Sequence, residues 1–183
     1  MSKEREDFIK KYSKDVINAT EGTNIFPSVK MAQLIIESAD NKGRAGEGVV
    51  FKKGNNGFGI KADANYKGEK MLFSTPKDAT KLNYFRVYPT VFDSIKEHSN
   101  FLLNNSRYKK AGVFTAKTPE EQIKRIAQAG YSESPTYAKA IISLINAYNL
   151  KSLDKIKPSP NNDNTAIILL LLVGLGVYLL DTK

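Results

Sequence analysis

The run "MAQLIIESAD" (31–40) places Glu37 directly after Leu34, Ile35 and Ile36. A carboxyl against an apolar wall resists ionisation, because burial penalises the charged form. Such a group can hold a proton near neutral pH and hand it on. Glu is otherwise a mostly exposed residue, so the run alone also fits a helix that turns Glu37 to water. The remaining residue types narrow the chemistry. The chain has no cysteine and one histidine, His98. That excludes disulfides, thiolate zinc sites and cysteine nucleophiles, and a zinc site built on two or three histidines cannot be made. His98 lies in "DSIKEHSNFL", with Ile95 and Leu102 three and four residues away on one helical face. This is the setting of a structural or surface histidine rather than a triad base. Acid–base chemistry therefore runs on Asp and Glu, and neither a metal nor a cofactor is expected.

The elements that must hold such a carboxyl can be read from periodicity and caps. Phe8, Ile9, Tyr12 and Val16 make an amphipathic first helix. "NIFPSVKMAQLIIESAD" has Pro27 in a first turn, with Val29, Ala32 and Ile36 on one face. "YPTVFDSIKEHSNFLLNN" begins with Thr90 and Asp93 in a capping-box pattern. "KTPEEQIKRIAQAG" has Thr118 as N-cap, Pro119 at the first helical position, Glu121 two residues later and Gly130 as a stop. "ESPTYAKAIISLINAYNL" follows, with Ser134 as N-cap, Pro135 at its first position and a buried stripe of Ala138, Ile141, Ile142 and Ile145. Between residues 50 and 89 glycine, asparagine and short aromatic runs replace helical periodicity. "EKMLFST" and "NYFRVY" read as two strands around a turn near "PKDATKL". The expected fold class is α+β, mostly helical with a small β-hairpin lobe.

With 183 residues, 41% of them hydrophobic and 26% charged, the chain has room for one ordinary domain and an appendage. The net charge of +9 suits anionic surroundings. The basic residues are scattered and form no nucleic-acid motif, so a nucleic-acid partner is not expected. Residues 1–150 read as the domain and 151–164, polar with Pro158 and Pro160, as a linker. Residues 165–181, centred on the uncharged run "AIILLLLVGLGVYLL", read as a C-terminal transmembrane helix that anchors the chain in a lipid bilayer. The N-terminus lacks the apolar region of a signal peptide. A single-pass membrane protein is expected, with delivery in the membrane of a bacteriophage virion as one setting and a bacterial membrane as the other.

Four blocks, "AQLIIESA", "NNGFGIKA", "YFRVYPT" and "AGYSESPTYA", occur in that order. Together they resemble the bacterial N-acetylglucosaminidases that cut peptidoglycan, the autolysin and flagellar type of glycoside hydrolase family 73, over about residues 8 to 150. The typical family forms are AQ-x-x-x-ES, NNLFGIK, FR-x-Y-x-S and GYATDP-x-Y-A. The resemblance implies a lysozyme-like α+β fold and a peptidoglycan glycan strand as partner. It implies Glu37 as general acid, with Tyr131 and Tyr137 near the sugar cleft. It also places Asn55, Asn56, Phe58 and Gly59 in the loop entering the β-lobe, and Phe85, Arg86 and Tyr88 in the strand leaving it.

The family's second carboxylate, in a T-x-E context, is missing from "STPKDAT". Asp78 is the nearest acidic residue and Glu69, at the preceding turn, is the other candidate. Three ways to fill the second role stay open: Asp78 as base for water, the substrate's own N-acetyl group oriented by Tyr131, or no efficient second group. The expected activity is cleavage of the glycan next to N-acetylglucosamine. The other readings are a non-catalytic wall binder with the same fold and a lytic transglycosylase.

Overall fold

The computed structural model describes residues 2–75 and 78–157, with the backbone alone for 74–75 and 78–81. Helix α1 (Lys3–Thr20) starts at Ser2, whose hydroxyl accepts from the Arg5 N–H at 3.4 Å. Its Phe8, Ile9, Tyr12, Val16 and Ile17 are buried, as the 3.6-residue period requires. Helix α2 (Pro27–Glu37) begins on Pro27, whose fixed φ suits a first turn. Every residue of α2 from Ser28 to Ile35 is buried.

Helices α3 (Val49–Gly54), α4 (Val91–Asn104), α5 (Ser106–Lys110), α6 (Pro119–Gln128) and α7 (Tyr137–Ala147) follow, with 3₁₀ turns at Val113–Thr115 and Leu150–Lys155. The expected caps on α4 and α6 are present. Thr90 and Asp93 form a reciprocal capping box, and the Thr118 hydroxyl accepts from Glu121 N–H. Packed around α2 are α1, α6, α7 and the last 3₁₀ turn. Among the described residues the sheet is one antiparallel hairpin, β1 (Lys70–Thr75) and β2 (Asp78–Arg86). Its root is clamped by Arg86, which pairs with Glu97 of α4 at 2.5 Å and covers the Tyr66 ring.

The structure corrects several expectations. The lysozyme-like α+β class fits, but the C-terminal transmembrane helix is not supported. No helix among the described residues is long and apolar enough to cross a membrane, and residues 165–181 lie outside the described residues. The lipid partner expected through that segment, and the viral setting drawn from it, lose that ground.

Residues 152–154, expected in the linker, pack against the domain: Leu153 is fully buried, and Asp154 accepts from the backbone N–H and the hydroxyl of Ser28, both at 2.8 Å. Helix α7 starts at Tyr137, three residues beyond the expected cap. The chain first makes a turn in which Tyr137 N–H reaches the Ser134 carbonyl. The second strand begins at Asp78, inside the expected turn. The pairing runs evenly from Lys70–Arg86 to Ser74–Leu82 and then jumps to Thr75–Asp78. A bulge on β2 takes up the extra residues, which a period-2 reading does not foresee.

Candidate active site

Glu37 is the last residue of α2 and is half-buried. It lines a groove of about 620 Å³ between the end of α2 with its following loop, the start of α3, and the hairpin. Phe51, Phe73, Phe85 and the exposed Val49 give this groove apolar faces. Burial pushes the Glu37 carboxyl above its ordinary range, and a hydrogen bond from Tyr137 pulls it partly back. That bond runs from the Tyr137 hydroxyl to Oε1 of Glu37 at 2.9 Å. With Oε1 engaged by Tyr137, Oε2 is the oxygen placed to carry the acid proton. Tyr137 in turn accepts from Nε2 of Gln33 at 3.1 Å. Its single proton is committed to Glu37, so Gln33 must donate. Gln33 Oε1 is left buried without a partner.

Tyr131 joins the same cluster. Its ring stacks on Tyr137 with centroids 5.4 Å apart, and its hydroxyl is 2.8 Å from Nε2 of His98. Burial, then the Glu37 charge, push the Tyr131 phenol well above its usual range, so it stays protonated. His98 is buried, with its ring 3.9 Å from and parallel to Phe58. Its Nδ1 is 2.6 Å from Nζ of Lys30, which is also fully buried.

The remaining candidates are placed as follows. Asn55 adopts φ 49° at the end of α3 and donates to the Tyr88 and Pro89 carbonyls. Asn56 is buried at the groove. Its amide donates to the Ile60 and Arg86 carbonyls while its oxygen accepts from Ile60 N–H. These side chains tie the loop to the root of the hairpin. Phe58 is buried against His98. Glu69 is exposed, one residue before β1, and does not line the groove. Asp78 opens β2 opposite Thr75, and its side chain lies outside the described atoms.

A second carboxylate that sequence reasoning passed over does line the groove: Asp40. Its Oδ1 accepts from the N–H of Lys42 and Arg44, each at 3.0 Å. Its Oδ2 accepts both forks of the Arg44 guanidinium, at 2.9 and 2.7 Å. Arg44, through its backbone N–H and then its side chain, holds Asp40 below the usual carboxylate range. Such a group organises a loop and is a poor base. Lys30 and Gln33 were also passed over. The signal existed: Lys30, Gln33 and Glu37 follow at three and four residues, a polar stripe on an otherwise apolar helix. Among the described residues no cluster of three or more metal-binding side chains occurs.

Residues 13–150 match the family model described as mannosyl-glycoprotein endo-beta-N-acetylglucosaminidase. The chain belongs to the glucosaminidase family. Among its relatives, exo-glucosaminidase LytG of Bacillus subtilis (strain 168) is 31% identical over 149 residues, covering 76% of this chain and 50% of the relative. Peptidoglycan hydrolase FlgJ of Salmonella typhimurium is 30% identical over 173 residues, covering 90% of this chain and 53% of the relative. The chain thus spans about half the length of the curated relatives it matches. The catalytic domain of the autolysin Auto from Listeria monocytogenes superposes with a TM-score of 0.67 at 27% identity, covering 84% of this chain and 89% of that one. This places the glucosaminidase motifs on a shared fold and agrees with a glycoside hydrolase.

Proposed function

We propose that this chain hydrolyses the glycan strand of bacterial peptidoglycan next to N-acetylglucosamine, with Glu37 as general acid. The observation that carries this is a carboxyl whose ionisation burial opposes, at the wall of an open groove, with Tyr137 fixing one oxygen. The groove's aromatic faces suit the apolar faces of sugar rings. The activities named for LytG, FlgJ and Auto point the same way.

In the step itself the Glu37 proton passes to the bridging oxygen as the bond from that oxygen to C1 breaks. Hydroxide from water ends on C1, and the remaining proton returns to the carboxylate side of the site. Asp40 is held by four donors and is not free to activate that water. The second role falls to Asp78 on the hairpin or to the N-acetyl group of the substrate.

Zymography on peptidoglycan tests the assignment. Clearing by the wild type, with a loss of about 10²-fold or more in Glu37→Gln, supports it. Equal wall binding with no clearing by either protein replaces the enzyme with a binder. Reducing N-acetylglucosamine ends in the products support hydrolysis at the proposed bond, whereas anhydro-muramic ends assign a transglycosylase. Asp78→Asn separates the two second roles: inactivity assigns the hairpin carboxylate, and full activity with retained configuration assigns the N-acetyl group.

A further inference from the structure

Lys30 is a lysine with no solvent exposure on a helix that supplies the acid. A buried amine is costly unless its hydrogens are used. The hydrogen bond described for it is to Nδ1 of His98, at 2.6 Å, and its Nζ also sits 5.3 Å from the centre of the Phe58 ring. Burial holds the lysine well below its ordinary pKa. As an ammonium its nitrogen only donates; as a neutral amine it donates or accepts. His98 cannot turn away. Both ring nitrogens have partners, and the ring stacks on Phe58 and lies nearly parallel to Phe101 at 6.2 Å.

We infer that Lys30 is a positioning residue: by donating to Nδ1 it fixes His98 as the Nε2–H tautomer, so that Tyr131 accepts from His98 and turns its own hydrogen away from the ring, toward Tyr137 and the Glu37 charge. Two lines of donors then run outward from the core. One is Lys30 to His98 to Tyr131, and the other is Gln33 to Tyr137 to Glu37. Both start on one stripe of α2. Without the Lys30 donor, His98 can adopt the other tautomer, and Tyr131 then points its hydrogen inward at Nε2. The hydroxyl would then turn only its oxygen toward Tyr137 and Glu37, which adds no donor on the side of the acid. The second part of this inference, that the Tyr131 hydrogen supports the acid at Glu37, rests on the proposed hydrolase reading.

His98 is the single histidine in the sequence, so nitrogen NMR of imidazole-labelled protein reads its tautomer directly and without any assay. The expected wild-type spectrum has a protonated Nε2 and a bare Nδ1, and Lys30→Met should show a mixture. A protonated Nδ1 in the wild type overturns the inference, whatever the enzyme does.

Kinetics supply the second arm. Lys30→Met should lower kcat about tenfold, the worth of one orienting hydrogen bond, with KM within about twofold. Its melting temperature should stay level or rise, since an apolar side chain replaces a buried amine. Tyr131→Phe should lower kcat by a similar factor, and the double variant should fall no further than either single one. Independent losses that multiply, or wild-type kcat in Lys30→Met, overturn the role. If the wild type does not clear peptidoglycan at all, the hydrolase reading fails separately and the tautomer result stands by itself.

Discussion

Glu37 shows how a carboxyl is made into an acid by where its helix ends. Its apolar neighbours in sequence gave the hint, and burial is the larger cause of its raised pKa. The sign of the consequence follows. The unfolded chain ionises this group near 4.5, whereas the folded chain resists. Ionisation therefore lowers stability as pH rises above that value, and the penalty is complete above the folded pKa. Glu37→Gln should melt above the wild type at pH 7, and the difference should vanish in scans below about pH 4. Tyr137 donates to the carboxylate and so favours it. Tyr137→Phe should shift the alkaline limb of kcat/KM to higher pH while lowering kcat about tenfold, measured across a pH series. Lys30 and Gln33 escaped a sequence reading because a lysine and a glutamine in a helix are ordinarily surface residues. Only the surrounding helices show that their face of α2 has no solvent.

At the scale of elements, legibility followed the directness of the signal. The caps on α4 and α6 use local side chains and stood in the sequence as they stand in the structure. The start of α7 and the bulge in the hairpin depend on backbone turns that several sequences can make. The loop from Ser38 to Gly48 was not legible either, and it forms one wall of the groove. It folds back so that Gly46 donates to the Ser38 hydroxyl and Gly48 to the Ser38 carbonyl. Gly46 adopts φ +74°, and a Cβ there would meet the Phe8 ring at 2.7 Å. Gly46→Ala combines strain with overpacking and should cost about 2 kcal/mol. Calorimetry should show this as a drop of about 6 °C in Tm.

For the whole molecule, the net charge of +9 belongs to encounter rather than to chemistry. Charged side chains that attract an anionic polymer are screened within about 8–10 Å at moderate salt. Raising sodium chloride should therefore increase the apparent KM on intact walls and leave kcat nearly unchanged, read from turbidity assays over a salt series. On short uncharged oligosaccharides the KM should hardly respond. Fold class was legible at this scale from four motifs in register, because each marks a place where the chain must turn, pack or face the cleft. The C-terminal run was read by hydropathy alone, which is a statement about composition and not about an observed helix.

Helix α2 has eight consecutive buried residues and is enclosed by α1, α6, α7 and the closing 3₁₀ turn. It has no face that can fray while the remainder stays intact, and the acid is its final residue. Heat inactivation should thus be an all-or-none event. Residual lytic power after heating should trace the same curve as loss of ellipticity, and amide exchange in Met31–Ile35 should proceed only through global opening of the chain.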